Sequence, residues 1–212
     1  MDNQTDPLKT LSEIRSIMER SSRFISLSGL SGVFAGIFAL LGALAAYVYL
    51  NLNITTPGYY EYAHNAGGEP NADFYKFFFT DAVLVLLASL AFGIILTMRK
   101  AKLKGQTIWD ATAKRLIINL LIPLISGGIF CLILLSHGLI GLVAPATLIF
   151  YGLALLNASK YTLDDIRFLG IFEIILGLIA SVYIGYGLLF WAFGFGILHI
   201  IYGIVMYYKY ER

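Results

Sequence analysis

Six long apolar stretches separated by short polar segments dominate the pattern along the chain. They run over 30–50, 78–98, 116–135, 138–158, 168–184 and 186–208. A helix needs about 20 apolar residues to cross ~30 Å of hydrocarbon at 1.5 Å per residue, and each stretch meets or nearly meets that length. The fifth is short and the sixth long, so their boundary near Gly185 is the least defined. The pattern predicts an all-α polytopic membrane protein with six transmembrane helices. Residues 1–23 form an N-terminal segment outside the bilayer, and 24–212 form one transmembrane domain with a single long outer loop, 51–77.

Composition agrees with the pattern. Charged residues make up 13% of the 212, against about 25% in soluble domains, which is too few to solvate a globular surface. The placement of charge gives direction. Lys9, Arg15, Arg20 and Arg23 precede the first stretch, and Arg99, Lys100, Lys102, Lys104, Lys114 and Arg115 lie between the second and third. Lys160 and Arg167 lie between the fourth and fifth, and Lys209 and Arg212 follow the sixth. Only Lys76 falls on the other side. Cytoplasmic loops are the positive ones, so both termini are expected inside. An odd number of spans would scatter these charges over both faces. Ala43-Leu44-Ala45 looks like a signal-peptide cleavage site, but Glu13 and Glu19 precede it and the apolar run continues to Leu50, so a retained span is expected.

Outside the spans, Asp6-Pro7 is a helix start, and Leu8, Leu11, Ile14 and Met18 recur at helical spacing after it. The N-terminal segment is therefore expected to hold an amphipathic helix on the inner leaflet or against a partner. The outer loop carries the turn signals Pro57-Gly58 and Gly67-Gly68. Its Tyr59, Tyr60 and Tyr62, with Phe74, Tyr75 and Phe77 to Phe79, read as an aromatic belt at the headgroup level. The only cysteine, Cys131, excludes an intramolecular disulfide and a thiolate zinc site and reads as a small buried hydrophobe. His64 and Glu61 lack metal-ligand spacing. No metal and no cofactor is expected.

A short string repeats in the odd spans: Gly36-Ile37-Phe38, Gly128-Ile129-Phe130 and Gly170-Ile171-Phe172. An aromatic-glycine pair repeats in the even spans: Phe92-Gly93, Tyr151-Gly152 and Tyr202-Gly203. The six matches suggest three like-oriented helical hairpins, whose glycines would let helices approach closely. Gly29, Gly32 and Gly36 form such a face in the first span.

Ionisable groups inside a membrane are costly and mark function. Asp81 lies near the outer end of span two, where an interfacial carboxylate capping or pairing locally with Lys76 is expected. Glu173 and His199 lie deeper, about 9 Å and 15 Å from the inner face at 1.5 Å per residue. Gly170 and Gly177 flank Glu173, and Gly196 and Gly203 flank His199, at spacings that share a helix face. Both side chains are thus expected to face other helices and to meet in the inner half of the bundle, with Asn119 and Asn157 nearby. Three roles are open for this intramembrane polar site: a structural pair that locks the last hairpin, a proton or ion relay in a transport path, or no contact at all, with His199 satisfied by a backbone carbonyl.

Gly29-Leu30-Ser31-Gly32 resembles the Gly-x-Ser-Gly motif of rhomboid intramembrane proteases, and His199-x-x-x-Gly203 is similar to their histidine helix. That resemblance implies a Ser31–His199 nucleophile pair. It covers only these strings, and Ser31 opens the first span near the inner face, whereas the rhomboid serine lies on a later helix and opens outward. No P-loop, His-Glu-x-x-His or paired-aspartate motif is present, and no catalytic residues are assigned.

The architecture, with Gly170-Ile171-Phe172 through Gly177, resembles uncharacterised bacterial six-span proteins and, more faintly, the HdeD-like acid-resistance membrane proteins. The long outer loop departs from that pattern and no functional residue carries over. The resemblance implies a bacterial inner-membrane protein of structural, regulatory or stress-related role. The alternative is a small transporter or channel subunit with the Glu173–His199 pair in its path. The expected partners are the lipid bilayer and a second copy or another membrane protein, not nucleic acid.

Overall fold

The computed structural model describes residues 27–52, 58–103, 105 and 109–212. The N-terminal amphipathic helix expected over residues 1–23 lies outside the described residues. Regular structure among those described is helical, apart from one isolated bridge between His64 and Pro70. The long helices are α1 (Gly29–Leu50), α2 (Ala72–Leu103), α3 (Ala111–Ser136), α4 (Val143–Ala158) and α5 (Asp165–Val182). The last helical segment runs in three pieces: α6 (Gly187–Trp191), a π-helical stretch (Ala192–Leu198) and α7 (His199–Tyr210). Among the described residues, five helical segments are long and apolar enough to cross a membrane: α1, α2, α3, Ile140–Tyr161 around α4, and Ile184–Tyr210 around α6 and α7. The remaining helix, α5, has 18 residues and carries Asp165, Arg167 and Glu173.

Local chemistry sets the helix ends. Asn51 adopts the left-handed conformation (φ 50°) and returns its N–H to the carbonyls of Tyr47 and Val48, which stops α1. Asp110 caps α3 by accepting from the Ala113 N–H at 2.6 Å. Gly138, with φ of 72°, makes the turn out of α3.

The helices assemble as two groups of three. In the first, α1 lies between α2 and the last segment, which it contacts through both the π-helical stretch and α7. In the second, α4 lies between α3 and α5. The pairs α1–α2 and α3–α4 are hairpins as expected, but the third expected hairpin is not: α5 packs chiefly on α4, α7 packs chiefly on α1, and α5 and the last segment touch only along a limited line.

Glycine explains that choice. A Cβ on Gly36 would come 2.5 Å from the Gly196 carbonyl oxygen, and one on Gly203 would come 2.6 Å from the Val33 nitrogen. In the other group, a Cβ on Gly152 would come 2.5 Å from the Gly170 carbonyl oxygen, and one on Gly177 would come 2.9 Å from that of Pro145. Backbone lies directly on backbone in both seams, a packing that supplies dispersion where lipid offers no hydrophobic drive. The threefold repeat does not carry into this packing. Gly36 and Gly170 are seam residues, but Gly128 and Gly93 have nothing within 4 Å of an added Cβ, and it is Gly127 that meets Phe150.

The two ends of the bundle differ. At one end, Lys100 Nζ donates to the Leu27 carbonyl at 2.6 Å and pairs with Glu211 at 3.3 Å. The Glu211 carboxylate also accepts from the Gly29 N–H and from Ser28 Oγ. It thereby supplies the acceptor that the orphan donors at the start of α1 need, and its charge is favourable there. Asp165 accepts from Lys209 at 2.9 Å and from Tyr210 at 2.6 Å, tying the start of α5 to the end of α7. We call this the basic end. At the opposite, aromatic end, a short 3₁₀ turn, Tyr59–Ala63, folds back over the helices. Tyr59, Ala63 and Phe74 are buried there with Ala46, Leu50, Ile140 and Leu188. Tyr59 donates to the Ile140 carbonyl at 3.3 Å. These aromatics belong in part to a packed core, not only to a surface belt.

Candidate functional site

The polar site lies where the two helix groups meet. Glu173 projects from α5, Tyr151 from α4, and His199 from the first residue of α7. Tyr151 Oη is 2.8 Å from His199 Nε2. His199 Nδ1 is 3.0 Å from the Gly194 carbonyl and 3.4 Å from Glu173 Oε1. A carbonyl can only accept, so Nδ1 carries a proton and donates to Gly194. In the neutral ring, Nε2 then accepts from the Tyr151 hydroxyl. Glu173 is 0% exposed and His199 6%. Neither Glu173 oxygen has a hydrogen-bond partner among the described residues, which is rare for a buried carboxyl.

The local sequence builds this pocket. Glycine at 194 leaves the space that the carboxyl fills: a Cβ there would lie 2.5 Å from Glu173 Oε2 and 2.6 Å from Leu148 Cδ2. The π-helical stretch carries Gly194 and Gly196, and such wide turns occur frequently at functional sites. Phe195 stacks on His199 at 5.9 Å and packs on Tyr151 at 4.9 Å and Trp191 at 5.1 Å, forming an apolar wall.

The expected residues separate into several places. Glu173 and His199 come together, Glu173 on the face its spacing implies and His199 on another. Gly196 and Gly203 face α1, where the His199 carbonyl oxygen would lie 3.3 Å from a Cβ on Gly32. The imidazole leaves on the other side, toward α4 and α5. Asn119 and Asn157 form their own link, Asn157 Nδ2 to the Asn119 carbonyl at 2.9 Å. Asn157 is six residues beyond Tyr151, about 9 Å along α4 toward the basic end, so this pair is not part of the Glu173 cluster. Asp81 does not pair with Lys76, which contacts Asp73 at 4.0 Å instead. Asp81 lies half-buried against Gly42 and Val85, in a crevice of about 250 Å³ between α1 and α2. Ser31 Oγ donates to the Ser28 carbonyl, while the ring nitrogens of His199 are engaged by Tyr151 and Gly194. The Ser31–His199 nucleophile pair is therefore not formed. Cys131 is half-buried in α3.

Two contributors carry little signal in the sequence. Tyr151 reads there as half of an aromatic-glycine repeat, and only its place in the inner half of a span points to more. Gly194 has no signal, because a π-helical turn has no sequence signature. No protein family, curated protein or solved structure matches the chain in comparison.

Proposed function

We propose that this is a six-span, multi-pass membrane protein with both termini on the basic side, of structural, regulatory or stress-related role and without catalysis. In this reading α5 is also a span, the fifth in chain order, brought into the bilayer by its packing on α4 despite its three ionisable residues. The bacterial inner membrane is its location, and a second copy or another membrane protein is its partner. The near-complete confinement of Lys and Arg to one side supports the orientation.

The observation that carries the non-transporting class is the close packing of the Tyr151–His199–Glu173 junction. A substrate path would need a polar cavity reaching Glu173. The two crevices described in the bundle, about 560 Å³ and 250 Å³, are lined by other residues, and the larger is almost wholly apolar. In this reading the triad is a lock between two glycine-packed groups. A second reading, a small transporter or channel subunit, is favoured by one fact: Glu173 keeps two unpartnered oxygens, as a group waiting for a proton or ion would.

Cysteine labelling tests the topology. In a Cys131→Ala background, Gly67→Cys should react with an impermeant maleimide in intact cells, and Arg212→Cys only after permeabilisation. The reverse pattern, or equal reaction at both, contradicts the orientation. Proton or ion flux in vesicles that is lost in Glu173→Gln would replace the lock by the transport reading.

A further inference from the structure

We propose that Glu173 is a reversible proton-binding site, and that loss of its proton switches the His199 Nδ1–H from the Gly194 carbonyl to the Glu173 carboxylate. This deepens the reading of the triad as a lock: the lock has two positions.

Geometry carries the proposal. Nδ1 has two acceptors within reach: Gly194 O at 3.0 Å, at which its N–H points, and Glu173 Oε1 at 3.4 Å, at which it does not. The nearer one holds the hydrogen bond. A fully buried carboxylate with no donor would carry an uncompensated charge, which is heavily penalised, whereas a carboxyl that keeps its proton carries none. The arrangement observed, with two unpartnered oxygens beside an imidazole bonded elsewhere, is the proton-loaded position. When the proton leaves to bulk water, Glu173 gains one negative charge and becomes the stronger acceptor. Oε1 then moves onto the Nδ1–H, whose direction the ring fixes, and the Gly194 carbonyl, inside the π-helical stretch, loses its side-chain partner. Tyr151 keeps its bond to Nε2 throughout and holds the ring in place. Proton return reverses each step, and no other bond is made or broken.

The surroundings leave few other groups to titrate. Facing this part of α5 are Leu148 and Tyr151 of α4 and Gly194 and His199 of the last segment, with Leu176 of α5 itself alongside. Among these only Tyr151 and His199 are ionisable, and no lysine or arginine among the described residues pairs with Glu173. The nearest crevice described lies on the α5 side of the junction. Leu176 and Phe193 line the larger crevice, which opens between α5 and the last segment. The Leu176 methyl and Glu173 Oε2 converge on the same point beside Gly194.

The test is infrared difference spectroscopy of the full chain in lipid, stepped through pH. A carbonyl band from a protonated carboxyl should be present at low pH, disappear at high pH with the steepness of one proton, and be absent in Glu173→Gln. Glu173→Asp, which keeps the acid, should retain a shifted band and covers the case in which the glutamine variant fails to fold. In His199→Leu the carboxylate loses its donor, so the midpoint should rise by at least about one pH unit. No band assignable to Glu173, a band that never titrates while the protein stays folded, or a midpoint unchanged in His199→Leu each overturns the proposal. The lock reading fails separately, if Tyr151→Phe and His199→Leu unfold at the wild-type temperature whatever the band does.

Discussion

The glycine seams and the junction between them are made of opposite materials. Along α1–α7 and α4–α5, backbone meets backbone and almost nothing polar intervenes. At the junction, three polar side chains from α4, α5 and the last segment meet around a π-helical turn, and one of them is left without hydrogen bonds. The seams fix where helices lie, because an added methyl group has nowhere to go. The junction is held by side-chain contacts instead of backbone ones, and helix packing does not require those side chains to be polar. Its polar groups are therefore the part of the membrane body that packing does not demand, and function is to be sought there.

The comparison can be broken by substitution, beginning with the seams. Gly36→Leu or Gly152→Leu forces a side chain into the backbone of the neighbouring helix, at a cost of about 3 kcal/mol or more. Neither variant should elute as a single species in size-exclusion chromatography in detergent. Lys100→Met removes the cation that joins the end of α2 to Leu27 and Glu211. Hydrogen bonds to charged groups contribute about 1.5–3 kcal/mol, so the unfolding free energy should fall by roughly 2 kcal/mol. Tyr151→Phe removes one interhelical hydrogen bond, which in membranes averages about 0.6 kcal/mol. The folded protein should survive with a small loss. Gly128→Ala and Gly93→Ala meet open space and should be neutral or gain up to about 1 kcal/mol from helix propensity. If these two destabilise as much as Gly36→Leu, the repeat is structural after all and the seams have no special standing.

The helices themselves are legible in sequence because a span requires an uninterrupted apolar length, and soluble folds seldom carry 20-residue runs of that kind. Their pairing is not. Gly170-Ile171-Phe172 and Gly128-Ile129-Phe130 read alike, yet Gly170 meets Gly152 while Gly128 meets no other helix among the described residues. Whether a glycine is a contact depends on the helix opposite, which a local string does not encode. The same limit applies to α5 and the last segment: neighbours in sequence joined by a short turn, they diverge because each finds a better glycine face elsewhere.

The candidate site is half legible. Glu173 and His199 stand out because charge in hydrocarbon is expensive, and that argument needs no neighbour. Glycine spacing misplaces the face of His199, since the glycines at 196 and 203 serve α1 while the imidazole turns away from it. Depth alone groups Asn119 and Asn157 with the pair, whereas in the fold they bond each other. Lys100 reads as a member of a positive loop and Glu211 as part of the tail, although together they form a near-buried contact on the start of α1. Charge bias along the chain reports the side of the membrane, not which charges meet.

A double-mutant cycle on Tyr151→Phe and His199→Leu tests most directly whether the junction couples the two helix groups. Unfolding free energies of wild type, both single variants and the double variant, measured in the same detergent, isolate the pairwise term. A lock predicts a coupling of about 0.6–1.7 kcal/mol, the range of interhelical hydrogen bonds in membranes. Effects that simply add, with no coupling beyond measurement error, would contradict it and leave the glycine seams as the only structure the bundle needs.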